Sequence, residues 1–145
     1  MKNLYDQFET DPAIEKSGVW IEYGVGTDEE PAPRFLIARA GGANLAFQKM
    51  MEAKAKPIRR QLQNDLVETA QLQALEREVF AQTVVLSWQN VTDRQGNPIV
   101  FSKNAVVQLF KELPDLFQDI REQANRAALY RKHIQEIDAG NSQRS

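Results

Sequence analysis

The chain has 145 residues, 42% of them hydrophobic and 26% charged, which is the size of one folded domain and too apolar for a wholly disordered chain. It holds no cysteine and one histidine, His133, which removes disulfide frameworks, thiol nucleophiles, thiolate metal sites and His-rich metal centres. The net charge of -2 carries no overall nucleic-acid signature, and no apolar run approaches the roughly 18–20 residues of a membrane helix.

The polar start, Met1-Lys2-Asn3-Leu4-Tyr5-Asp6, lacks the apolar stretch of a signal peptide, so a cytosolic protein is expected. The charge is unevenly spread. Residues 1–33 carry two basic and eight acidic groups, whereas residues 34–60 carry seven basic groups against Glu52 alone. The acidic front and the basic segment could neutralise each other, or segment 34–60 could serve an acidic partner or RNA. Solvated helix faces commonly carry such runs, which favours neutralisation.

In chain order, Leu4, Tyr5 and Phe8 are spaced for one helical turn, which Asp11-Pro12 ends. Val19-Trp20-Ile21-Glu22-Tyr23 and Arg34-Phe35-Leu36-Ile37-Ala38-Arg39 read as two strands of a hairpin. Their long loop, Gly24 to Pro33, is rich in Gly, Asp, Glu and Pro. An isolated hairpin is marginal, so one face must pack on helices, through Trp20 or Phe35.

After Gly41-Gly42, the positions Ala43, Phe47, Met50 and Met51 form a helical stripe. Pro57 can open a further helix, with Leu62, Leu66, Ala70, Leu72, Leu75 and Val79 continuing the apolar band and Asn64 able to cap a new start. The run Thr83-Val84-Val85-Leu86-Ser87-Trp88 has strand-like composition, yet it extends that band without a breaker and is read as helix. Both Trp20 and Trp88 are read as core.

Asp93-Arg94-Gln95-Gly96-Asn97-Pro98 is a turn. Ser102 then caps a helix running to about Glu112, and Pro114 opens the next, with Phe117, Ile120 and Ala124 on its inner stripe. The expected fold is mainly α with one small β-hairpin, an α+β domain of four to five helices. Its single domain spans residues 1–137, with the hairpin at about 19–39 and helices at about 43–136, and 138–145 is a disordered tail.

The chemical inventory points away from catalysis. His133 stands among basic neighbours that oppose its protonation, and Glu76/Glu78 fall on different helix faces. Asp115/Asp119 could hold a divalent ion only weakly. Gly24-Val25-Gly26 lacks the third glycine and following helix of a dinucleotide fingerprint, and no phosphate loop or nucleophile motif is present. No enzyme, cofactor or metal site is expected.

Four stretches carry a family resemblance. They are Val85-Leu86-Ser87-Trp88-Gln89-Asn90-Val91-Thr92-Asp93, then Gly96-Asn97-Pro98-Ile99-Val100-Phe101-Ser102-Lys103-Asn104-Ala105, then Leu113-Pro114-Asp115-Leu116-Phe117 with Gln123-Ala124-Asn125. With Arg34 to Asn44 before them, their order and spacing resemble the tail assembly chaperones of long-tailed phages. The resemblance spans about residues 19–130.

It implies a small, mostly helical, non-enzymatic protein of the host cell cytoplasm, absent from the finished virion. Such a protein binds the tape measure protein, keeps it soluble and helps recruit tail tube subunits, and self-association is expected of it. A chaperone of a long helical partner needs adaptable apolar surface rather than one deep pocket.

The partner-binding candidates are Leu45, which leaves the core stripe while staying apolar, Met51 at its edge, and Arg59 and Arg60 at the end of the basic segment. The alternatives are a nucleic-acid-binding regulator using segment 34–60 and a structural tail or head-completion protein.

Overall fold

The structure, a computed structural model, describes residues 3–62 and 69–132. Expectations that fall on Asn64, Leu66, His133 and the tail from Asp138 therefore lie outside the described residues. Two short helices open the chain, α1 (Leu4–Phe8) and α2 (Pro12–Ser17). Asp11 does more than end the first turn. Its side chain accepts from the Ala13 N–H at 2.9 Å, so Asp-Pro also serves as cap and first residue of a helix that the sequence reading missed.

The sheet has three antiparallel strands in the order β1-β2-β3: β1 (Val19–Glu22), β2 (Arg34–Ile37) and β3 (Val85–Gln89). The hairpin pairs Val19 with Ile37 and Glu22 with Arg34. The third strand corrects the helix expected over residues 83–88. Leu36 pairs with Ser87 while Ile37 pairs with Val85, so Leu86 is an extra residue in a bulge. The bulge lets Val85 and Trp88, three positions apart, both face the core. That spacing imitates a helical stripe.

The α4 helix (Thr69–Thr83) stops where Thr83 Oγ1 donates to the Val79 carbonyl at 2.7 Å and the β-branched Val84 and Val85 enter the sheet. Before it, α3 (Leu45–Leu62) runs through Pro57 rather than restarting there. Pro57 and Ala53, whose carbonyl loses its helical donor, are both exposed, so water can satisfy that group.

After β3 come α5 (Lys103–Glu112), α6 (Pro114–Ala124) and a short 3-10 turn, Ala127–Tyr130. Ser102 Oγ accepts from the Ala105 N–H at 3.0 Å as the cap of α5. The described residues thus hold six α-helices beside the sheet, a mixed α+β fold with one strand more than a hairpin.

The core lies between the inner sheet face and α4, α5 and α6. Two aromatic chains run through it, mostly edge-to-face: Tyr23, Phe35, Trp88, Phe101 and Phe47, Phe80, Phe117, Phe110. Trp20 is not core. It pairs with Leu36 on the other sheet face, is 37% exposed, and carries the Arg34 guanidinium 4.1 Å above its ring.

Candidate partner-binding surface

The four residues singled out by the sequence lie along α3. Leu45 is its first residue and is 55% exposed; Met51 is half-buried. Arg59 is exposed and bonded to Glu52 at 2.9 Å, and Arg60 is exposed beside it. At ~1.5 Å rise per residue, Leu45 and Arg59 stand about 21 Å apart. Met51 turns about 120° away from Leu45 on the helix. These residues do not converge on one site.

Members of the basic segment face carboxylates. Arg39 Nη1 meets the buried Glu15 at 2.6 Å, Lys54 meets Glu78 at 3.0 Å, and Arg59 meets Glu52. The Arg39–Glu15 pair joins the basic segment to the acidic front. Glu15 also accepts from Thr10 Oγ1 at 3.0 Å, and the Arg39 N–H donates to its carbonyl at 2.9 Å. Gly42 is required here. Its φ is +53°, and a Cβ would stand 1.9 Å from Glu15 Oε2.

A different surface has the shape of a binding site. A groove of about 1040 Å³ lies between the loop Gly24–Pro33 and the turn after β3. Phe35 and Trp88 form part of its lining, with Leu109, Leu113 and Leu116 from α5, α6 and their junction. Val25 is 102% exposed and Leu113 47%, and both line the groove. Val100, 86% exposed, sits between the lining residues Ile99 and Phe101. Glu29 and Glu30 are the charged side chains in the described lining.

Local sequence explains why the walls hold their shape. Gly26 lies so close to the Pro31–Ala32 backbone that a Cβ would stand 2.1 Å from the Ala32 nitrogen, which folds the long loop back on itself. Asn90 Nδ2 donates to the Ala32 carbonyl at 3.1 Å and ties that loop to the end of β3.

On the other wall, Asp93 Oδ1 accepts from the Gln95 and Asn97 N–H groups, each at 2.9 Å. The Asn97 backbone bond is the main cause that holds the Asp93 carboxyl below its ordinary 3.8. Trp88 Nε1 donates to the Ile99 carbonyl at 3.0 Å, fixing the indole against this wall.

Beside the groove, burial pushes the Tyr23 hydroxyl well above its ordinary range, and its hydrogen bond to Asp119 adds to the shift. Lys103 Nζ donates to the Val85 carbonyl at 2.9 Å and lies 5.5 Å from the Phe101 ring, and desolvation lowers its pKa.

The sequence reading missed the groove because its two facing walls are distant in sequence, with Ala32 and Asn90 meeting across 58 positions. The available signal was apolar residues in turns: Val25, Val100 and Leu113. Among the described residues, no group of three or more His, Cys, Asp or Glu side chains is placed to hold a metal ion. No helix among them is long and apolar enough to cross a membrane.

Comparison with known families decides the wider identity. The family model described as YdaY prophage protein matches residues 41–141. The chain belongs to that family. It is therefore a phage-derived protein, and α3, α4, β3, α5 and α6 of this YdaY-family chain all lie within the matched residues. No curated protein and no solved structure matches it.

Proposed function

We propose that this YdaY-family protein is a tail assembly chaperone that holds the tape measure protein in soluble form and helps recruit tail tube subunits. It acts in the host cell cytoplasm and is absent from the mature virion. The observation that carries this reading is the apolar groove with an aromatic lining and exposed Val25, Val100 and Leu113 around it. A concave lining of aromatic and aliphatic side chains with a few polar groups at its rim is the usual form of a binding site.

The occupant is an amphipathic segment of the tape measure protein with apolar anchors and basic flanks. The anchors fill the groove against Phe35, Trp88 and Leu113, and the basic flanks meet Glu29 and Glu30. Prophage family membership supplies the setting, and the ordered motifs from Val85 to Asn125 supply the resemblance to tail assembly chaperones.

The role is non-enzymatic and needs no cofactor. A nucleic-acid regulator is disfavoured because Arg39, Lys54 and Arg59 already face carboxylates.

Co-expression with the tape measure protein of the same prophage, followed by pull-down and a solubility assay, tests the proposal. A soluble complex is expected, together with the chaperone's absence from purified particles by mass spectrometry. An insoluble tape measure protein that is unchanged by co-expression would reject it. Recovery of the protein in purified particles would favour the structural tail or head-completion reading.

A further inference from the structure

The outer edge of β1 is open, and its register determines what it can offer. The Tyr23 N–H donates to the Pro33 carbonyl at 2.9 Å. With Ile21 opposite Phe35 and Val19 opposite Ile37, the odd-numbered residues direct their backbone groups at β2. Trp20 and Glu22 therefore direct N–H and C=O outward, where no strand of the described residues pairs with them. The strand has no proline and no bulge in its pairing with β2, so two common ways of blunting an edge are missing.

The side chains on that edge are matched to a second copy of themselves. Glu22 stands opposite Arg34 in the hairpin, yet the two make no ion pair. Arg34 instead stacks on Trp20 at 4.1 Å and donates from Nε to Gln89 Oε1 at 2.7 Å. Neither Glu22 nor Arg34 has an ion-pair partner among the described residues.

We propose that two copies of the chain pair antiparallel through β1, about a two-fold axis at Ile21, to form one continuous sheet in the order β3-β2-β1-β1-β2-β3. The parity is satisfied without adjustment. Trp20 falls opposite Glu22 of the second copy, and each such pair exchanges both backbone hydrogen bonds. Glu22 then lies beside the indole that carries the other copy's Arg34, so each unpaired carboxylate meets a guanidinium. Two-fold symmetry forms the contact twice. The pairing also covers the exposed edge of Trp20. Its Trp20, Glu22 and Arg34 contacts lie on the sheet face opposite Phe35 and Trp88, and the proposal holds whatever partner the groove takes.

The test uses the full chain and its lack of cysteine. Sedimentation or light scattering across a concentration series should show a mass approaching twice the chain's 16.5 kDa. Glu22→Arg, on the exposed face, should weaken the dimer at least about tenfold by turning two attractions into repulsions, and adding Arg34→Glu should recover part of that loss.

Ile21→Cys should oxidise to a covalent dimer, because facing residues at a non-hydrogen-bonded antiparallel position have Cα atoms roughly 4.5 Å apart, within disulfide reach. Val19→Cys, four positions out of register with its copy, should stay monomeric on a denaturing gel. A monomer at every concentration overturns the proposal. So does a dimer indifferent to Glu22→Arg, or equal cross-linking of the two cysteine variants. If Ile21→Cys fails to fold, the Glu22→Arg result decides.

Discussion

The Tyr23 hydroxyl donates a 2.6 Å hydrogen bond to Asp119 Oδ2, joining the residue after β1 to α6 across 96 positions of sequence. This contact and the Tyr23–Phe35 ring pair set the sheet against the helices on the groove side. A long-range bond of this kind acts on fold and site together.

Tyr23→Phe keeps the ring and removes the donor, leaving Asp119 without it. A loss of about 1–2 kcal/mol is expected, because the acceptor is charged but partly solvated. The pH dependence has a definite sign. The folded-state pKa of Tyr23 is raised, so its contribution is fully present below the ordinary 10.0 and is lost as pH rises above it. Tyr130, whose hydroxyl donates to the Ile37 carbonyl at 3.1 Å, behaves in the same direction through burial. Urea melts above pH 10 should show falling stability in the parent chain and a shallower fall in Tyr23→Phe.

The buried Glu15 offers a stricter test of the N-terminal segment. Removing it strands Arg39, Thr10 and the space beside Gly42 at once. Glu15→Ala should cost toward the lower end of about 3–5 kcal/mol, since a quarter of the Arg39 side chain reaches solvent. Gly42→Ala should cost more than about 1 kcal/mol from the positive φ and the collision with Glu15. Denaturant midpoints measure both, and an unchanged midpoint for Gly42→Ala would contradict the geometry.

For the helical layer, Phe117→Ala should cost about 3–5 kcal/mol, because Phe117 is buried between Phe80 and Phe110. Ser102→Ala should cost about 0.5–2 kcal/mol through the lost cap on α5. Thermal melts give the two values independently, as one acts through packing and the other through a terminal N–H.

These helices were legible because their signals are local: Ser102 before α5, Pro114 at the start of α6, and a stripe from Phe117 to Ala124. The hairpin was legible for the same reason. The third strand was not, since the bulge at Leu86 gives Val85 and Trp88 the spacing of a helix. The two tryptophans divide on strand parity. Trp88 pairs with Phe35 on the inner face and Trp20 with Leu36 on the outer, a distinction that composition does not contain. The groove needed tertiary structure altogether, because its walls meet only when β3 joins β2.

The surface assignment can be tested by charge placed on it. Leu113 is half exposed at the α5–α6 junction, where its N–H donates to the Leu109 carbonyl at 2.8 Å and its side chain lines the groove. Val100 projects from the chain segment between β3 and α5. Leu113→Asp and Val100→Asp leave those backbone bonds in place, so the far-UV helical signal and melting midpoint should change little. Binding to the tape measure protein should fall by about tenfold or more for Leu113→Asp, because a carboxylate would enter an apolar contact already bordered by Glu29 and Glu30. Leu45→Asp and Met51→Asp on α3 provide the contrast. If those two abolish tape measure solubilisation while the groove variants remain active, the partner lies along α3 and the groove is not the docking surface.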